Sequence, residues 1–344
     1  MADTTDRGTM GTHSDLHVTV VVPTRDRAAK VDRLIGLLLD TDQPIQVVVV
    51  DDGSVDRTAE VLADWESKDP RVLALRGTGK DGQSQARLLG ARRATGDILV
   101  LLDDDVVPAP GLVAGHLKWH SPETNRLVLG YMPTFVPDPL PIGAFATQLY
   151  ATEYENHCRG FDRDVNTVLT GLWLGNMSIR RDTYLSAFDT DRMPQFPYRH
   201  EDMLFGLILK DMGVEPIFDR SLFAQHFHDR PLEAFRRDSY TQGQGRAAIY
   251  RLRGEEATMD PEKVALNEMP LPVKWFVRCT RPAPLHRLAG TTLSGAIAAS
   301  GRLGSRRAEI SLARVLRRVD MLAGSKDVLE ATQDREYDGT AAGG

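Results

Sequence analysis

Cysteine is almost missing. Cys158 and Cys279 are the only two in 344 residues, too few for a disulfide framework or a multi-cysteine zinc site. Such usage fits a reducing cytoplasm. No apolar run approaches the ~18 residues of a membrane span. The opening stretch MADTTDRGTMGTHSD is polar and lacks the apolar core of a signal peptide. Positive charge is not in excess either: 42 Lys+Arg stand against 48 Asp+Glu, a net charge of −6. A generally basic nucleic-acid-binding surface is therefore not expected. With 29 Gly, 19 Pro and 26% charged residues, collagen-like, coiled-coil and wholly disordered chains are excluded. No internal repeat is present, and the length allows one large domain or a domain with an appendage.

What is there begins with short apolar runs. HVTVVV (17–22), IQVVVV (45–50), VLAL (72–75) and DILVLL (97–102) are of strand length and rich in β-branched residues. Runs so uniformly apolar suit parallel strands covered on both faces. Between the first two, Val31, Leu34, Ile35, Leu38 and Leu39 recur at helical spacing, and helices over 58–65 and 85–94 fill the next gaps. Strand–helix alternation of this kind means an α/β nucleotide-binding half. Further on, the proline-rich 131–145 reads as a long loop, 171–179 as a strand, 201–212 and 231–252 as helices, and the remainder as mostly helical. Residues 1–16 and 333–344 read as disordered tails, 17–252 as the main domain and 253–332 as a helical extension.

Ligands of open parallel sheets bind beyond the carboxyl ends of the strands. The first run is followed there by Pro23-Thr24-Arg25-Asp26-Arg27, the second by Asp51-Asp52-Gly53-Ser54, the fourth by Asp103-Asp104-Asp105. Consecutive carboxylates repel one another, and a divalent cation relieves that cost, because Mg²⁺ and Mn²⁺ favour oxygen ligands and leave positions for substrate phosphates. Taken alone, three aspartates would read as a solvated turn.

Two glycine patterns compete with this reading. Gly77-Thr78-Gly79-Lys80-Asp81-Gly82 has the form of a dinucleotide fingerprint, which would make the chain a nucleotide-cofactor oxidoreductase. Against that, Lys80 and Asp81 put charge in the turn, and the turn follows the third strand, leaving the first two strand-end motifs unexplained. The Walker pattern fails, because Gly79-Lys80 is followed by Asp81 and Ala74 stands at its first glycine.

Assembled in order, VTVVVPTRDR, VVVVDDGSVDRT, GQSQARLLGARRATGDILVLLDDD, GNMSIRR and HEDMLFGLILKDMG resemble the family 2 glycosyltransferases of the GT-A fold over residues 17–250. One departure is Leu88, where the family usually has Asn after the arginine of its third helix. The resemblance implies a Rossmann-like, mostly parallel sheet flanked by helices. It also implies inverting transfer of a hexosyl or N-acetylhexosaminyl group from a nucleoside-diphosphate sugar, most commonly UDP-linked, to a carbohydrate, lipid-linked or small-molecule acceptor. A non-catalytic nucleotide-sugar-binding protein is the other reading.

By the same resemblance Pro23, Thr24 and Arg25 would line the nucleoside pocket, with Asp52 on the base. Arg87, Asp103 and Asp104 would approach the nucleotide and ribose. Asp105, completing the D-x-D motif, would hold Mn²⁺ or Mg²⁺ with His226. Asp202 of the Glu201-Asp202 pair would be the general base, its anionic form favoured at a helix N-terminus. Trp173, Asn176, Glu201 and His228 would border donor sugar or acceptor, and Gly243–Arg251 would be a flexible loop leading into a basic helix. Helix-start acids and a core tryptophan are the plainer explanations of Glu201, Asp202 and Trp173.

Charge is uneven along the chain. From Lys274 to Val319 there are ten Lys/Arg and one acid, Glu309, so the rest carries −15. Such asymmetry points to an anionic partner. Within the stretch Ala308, Leu312, Val315, Leu316, Val319 and Leu322 form a helical apolar stripe opposed by Arg307, Arg314 and Arg318. That helix would dock on the domain or lie on the inner face of a membrane. The oligomeric state is not legible.

Overall fold

The computed structural model describes residues 16–331 except 42, 81, 190, 191, 195, 197–200, 229, 256, 257 and 268. Eight strands form one sheet: β1 (Val18–Thr24), β2 (Ile45–Asp51), β3 (Val72–Arg76), β4 (Ile98–Leu102), β5 (Val106–Pro108), β6 (Arg126–Tyr131), β7 (Asn176–Arg180) and β8 (Glu215–His226). Their order is β3-β2-β1-β4-β7-β6-β8-β5. β1, β2, β3 and β4 run parallel, whereas β7 is antiparallel to both β4 and β6. The helices are α1 (Ala28–Leu39), α2 (Thr58–Lys68), α3 (Gly82–Arg93), α4 (Leu112–Leu117), α5 (Phe145–Arg163), α6 (Arg181–Ala187), α7 (Glu201–Asp211), α8 (Leu232–Arg253), α9 (Pro261–Leu266), α10 (Leu271–Cys279), α11 (Ala283–Arg302) and α12 (Arg306–Glu330).

The chain divides into two compact units. The first runs to Met132 and takes in Leu174–Phe188 and Val214–Ala224; the second holds Pro133–Trp173, Asp189–Gly213 and everything from Gln225 on. In the first unit every residue of β1 and β4 is buried, as the uninterrupted apolar runs require. The apolar spacing in α1 works the same way: Val31, Leu34, Ile35 and Leu38 are the buried residues.

The second unit is helical, and it holds the features that the sequence conceals. The helix expected over 231–252 is α8, and 243–251, expected to open as a flexible loop leading into a basic helix, is its interior. The first of its two glycines serves close approach: a Cβ on Gly243 would lie 2.0 Å from the Met321 carbonyl oxygen, and one on Gly324 2.0 Å from that of Tyr240. α8 and α12 thus touch backbone to backbone. Only the part of 131–145 between β6 and α5 lacks regular structure, and the strand expected over 171–179 starts at Asn176.

The basic stripe-bearing helix is α12. Its Ala313, Leu316, Val319 and Leu322 are buried inside this unit, against Phe145, Leu149, Phe235 and Ile297 on one side and Ala265, Leu266, Val277 and Ala289 on the other. Docking, not membrane contact, accounts for that stripe. A buried carboxylate adds a polar tie: Asp320 accepts from Arg236 at 3.0 and 3.1 Å and lies 2.9 Å from His286 Nε2, joining α8, α11 and α12.

Candidate functional site

After β1 the chain adds β2 and β3 on one side and then returns to place β4 on the other. That reversal makes the gap between the carboxyl ends of β1 and β4 the topological switch point, where open α/β sheets bind ligands. The sequence puts Thr24 at one lip of the gap and Asp103-Asp104-Asp105 at the other. They meet across it: the Thr24 hydroxyl donates to Asp104 Oδ2 at 2.7 Å.

Arginines meet the acids. Arg27 Nη1 lies 2.7 Å from Asp104 Oδ1 and 2.6 Å from Asp105 Oδ2. Arg87, buried in α3, donates to Asp103 Oδ1 at 2.6 Å, and Gln83 one turn earlier donates to the same oxygen at 3.0 Å. Burial pushes the Asp104 carboxyl up to about 6, against the pull of Arg27 and Thr24. Burial would lower the Arg27 guanidinium, but Asp104 and Asp105 outweigh it and raise it. Arg27 and Gln83 were missed by sequence reasoning. The signal for Gln83 was its place one turn before Arg87; for Arg27 it was the second arginine of TRDR. Asp26 between the two arginines has φ 53°, and this left-handed residue separates their directions. Arg25 Nη1 goes to the Gly79 carbonyl at 3.0 Å.

Asp52 is buried beside the glycine-rich turn. Its Oδ1 accepts from the Gly79 amide at 3.0 Å, while a Cβ on Gly53 would lie 2.7 Å from the Gly79 Cα. Gly77 and Gly79 therefore let the ends of β2 and β3 touch, which explains these two glycines without a dinucleotide. A cavity of about 190 Å³ opens here, lined by Asp52, Arg76, Gly77, Thr78, Gln85, Ala86, Leu89 and Arg92. Pro23 is buried in β1.

Asn176 is committed elsewhere. Its Oδ1 pairs with His116 Nε2 at 3.0 Å and its Nδ2 donates to the Leu222 carbonyl at 2.9 Å. Ser178 continues the chain, 2.9 Å from His116 Nδ1 and 2.8 Å from His120 Nε2. Burial drives His116 down to about 4 and His120 to about 3, so both imidazoles are neutral at pH 7. With both ends of its amide bonded in this network, Asn176 braces β7.

In the second unit Glu201 and Asp202 form the first turn of α7, both half-buried, ahead of buried Leu204, Phe205, Leu207, Ile208 and Leu209. His226 ends β8, buried, with its amide bonded to the Pro133 carbonyl at 3.0 Å. Beyond the strand, His228 stacks on Tyr150 at 4.3 Å, and the two histidine rings lie 5.2 Å apart. Trp173 packs on α5, stacked on Tyr154 at 5.0 Å with His157 at 5.2 Å.

Among the described residues, no three His, Cys, Asp or Glu side chains gather as a metal cluster. The hard oxygens of Asp103 and Asp105 nevertheless suit Mg²⁺ or Mn²⁺, which commonly take one or two carboxylates and complete their shell with substrate phosphates and water.

Comparisons with known proteins agree with this arrangement. The family model described as Glycosyl transferase family 2 matches residues 19–182. A validoxylamine A glucosyltransferase from Streptomyces hygroscopicus subsp. jinggangensis is 34% identical over 117 residues, 33% of this chain and 28% of that protein. A dolichol-phosphate mannosyltransferase from Pyrococcus furiosus is 33% identical over 100 residues, 28% of each. The chain thus spans about a quarter of the length of such curated relatives. Among solved structures, the mannosyltransferase PcManGT from Pyrobaculum calidifontis, in complex with GDP-Man and Mn²⁺, superposes with a TM-score of 0.53 at 18% identity, covering 92% of this chain and 88% of that one. That likeness is one of fold. Over residues 19–182 the chain is similar to glycosyl transferase family 2, and it has the GT-A fold.

Proposed function

We propose that the protein is a metal-dependent, inverting glycosyltransferase that moves a sugar from a nucleoside diphosphate, UDP foremost, to a carbohydrate, lipid-linked or small-molecule acceptor. One observation carries the reading: three consecutive aspartates, matched by Arg27, Arg87 and Thr24, sit at the switch point of the sheet. A site with paired positive and negative groups on hand suits a diphosphate and its counter-cation, since each can trade its internal partner for the ligand.

Asp105 would hold the cation, with His226 as its further ligand, and Asp103 would lie nearer the ribose and donor sugar. The cation would supply Lewis-acid stabilisation of the charge developing on the leaving diphosphate. Arg27 and Arg25 would bind phosphate oxygens, and Arg87 would hold the Asp103 carboxylate in place. Asp52 has one oxygen engaged by Gly79, and the other would accept the imino N–H of the base. Asp202 would take the proton of the acceptor hydroxyl, its anionic form favoured by the α7 N-terminus. Glu201, Trp173 and His228 would border sugar or acceptor.

A thermal-shift panel of UDP-, GDP- and dTDP-sugars with and without Mn²⁺ tests the donor. Stabilisation should need both partners, and full-strength binding without a divalent ion would contradict the cation assignment. Asp105→Ala should abolish the metal dependence. Asp202→Asn should keep donor binding and lower transfer by about 10²–10⁴-fold; unchanged turnover would remove Asp202 from the chemistry.

A further inference from the structure

α12 turns its apolar stripe inward, yet the second unit still carries a large exposed apolar surface, on α10 and α11. Leu271 is 81% exposed and Trp275 71%, with Phe276 at 39% on the same helix. α11 follows directly, and it exposes Leu285 at 46% and Leu288 at 64%. None of the six exposed positions between Arg287 and Arg302 bears a charge. The surface is not neutral, however. Residues 271–302 contain five Lys/Arg and no Asp or Glu. Arg278 and Arg281 share Glu262 at 3.0 and 3.2 Å, while Lys274 and Arg287 have no ion pair among the described residues.

We infer that the α10–α11 face is a membrane-contact surface that lies on an anionic lipid bilayer. Exposed Leu, Trp and Phe bordered by Lys and Arg are the composition of a helix that rests in the headgroup region. Trp in particular favours the boundary between headgroups and acyl chains. Among the described residues no helix is long and apolar enough to cross a membrane, so the contact is peripheral. A second copy of this chain fits less well. A two-fold interface sets the same patch against itself, and residues 271–302 bring five cations and no acid to either side of it. Anionic headgroups meet both parts of the surface: the cations pair with phosphates and the apolar side chains enter beneath. The inference does not depend on the glycosyltransferase reading.

The test is co-flotation of the full chain with vesicles of phosphatidylcholine containing one-third phosphatidylglycerol, beside vesicles of phosphatidylcholine alone. The chain should float with the anionic vesicles, roughly tenfold more weakly with the neutral ones, and should release as salt is raised. Leu271→Gln with Trp275→Gln should reduce binding by about tenfold or more and leave the melting temperature unchanged, since both side chains are solvent-facing. Lys274→Gln with Arg287→Gln provides a second variant and should remove the preference for anionic lipid. Failure of the unmutated chain to float with anionic vesicles would overturn the inference. So would a dimer in sedimentation that dissociates in the Leu271/Trp275 variant, which would assign the face to a second copy.

Discussion

In the sheet-centred unit, buried charge gathers at one edge and is held by groups that a ligand could displace. Arg27 is itself about one-third exposed while it bridges Asp104 and Asp105. In the helical unit, Asp320 is nearly fully buried and locked by two bonds from Arg236 and one contact with His286, deep among three helices. The residue chemistry is similar in both places, but the surroundings differ. Carboxylates at strand ends sit where the backbone stops and solvent or substrate can enter, whereas a carboxylate amid packed helices has no partner to exchange with. A buried ion pair is therefore not by itself a sign of a site; its access to an opening matters as much.

The contrast can be broken experimentally, first in the helical unit. Asp320→Ala leaves Arg236 and His286 facing an emptied pocket and should cost about 3–5 kcal/mol, read as a lowered urea midpoint. A loss below about 1 kcal/mol would show that the cluster is solvated in solution.

Next comes acid. The folded-state values of His116 and His120 are depressed below the ordinary 6.5, so unfolding takes up protons as pH falls. Their neutral-state stability is complete above about 6.5 and drains away toward pH 4 and below, at about 1.4 kcal/mol for every tenfold difference in proton affinity between the folded and unfolded chain. Asp104 acts in the opposite sense, because its raised value stabilises the fold as pH drops from about 6 toward 4, but it is one group against two. The melting temperature should therefore fall between pH 6.5 and 4, and His120→Gln should flatten that slope.

Gly243→Val would force α8 and α12 apart and should cost about 1–3 kcal/mol, measured by thermal denaturation. The smallest effect is expected at the site itself. Arg27→Ala should lower stability by only about 1 kcal/mol, because the pair is partly exposed. Added Mn²⁺ should restore more stability to this variant than to the unmutated protein, since Asp104 and Asp105 then lack a counter-charge. No differential rescue would argue that Asp105 does not face a cation site.

The same contrast explains what the sequence revealed. Strands β1, β2 and β4 are legible because their apolar runs are continuous and bounded by acidic turns, and the acids at their ends follow at once. Arg27 was harder, since choosing between it and Arg25 depends on the φ of Asp26. The Asn176 network was not legible, because motif position says nothing of an amide's partners, and His116 and Leu222 lie 60 and 46 residues away. The interior of α8 misled for a related reason. Glycine in isolation signals flexibility, and only the backbone of Met321, far along the chain, shows that Gly243 is there for contact. β8 was missed entirely: its burial alternates over only part of its length, and Glu215, Asp219 and Arg220 interrupt any apolar run.

The seam between Gly243 and Gly324 also fixes rotation. Because main chain meets main chain there, α12 has one azimuth, and each residue advances a helix by about 100°. A single inserted alanine just before Gly324 would swing the preceding segment by that angle, putting Arg317 in the buried place of Leu316 and Val319 in the half-buried place of Arg318. Tolerance of substitutions on the outer side of α12, together with intolerance of one-residue insertions or deletions, is the signature such a phase lock would leave in a mutational scan.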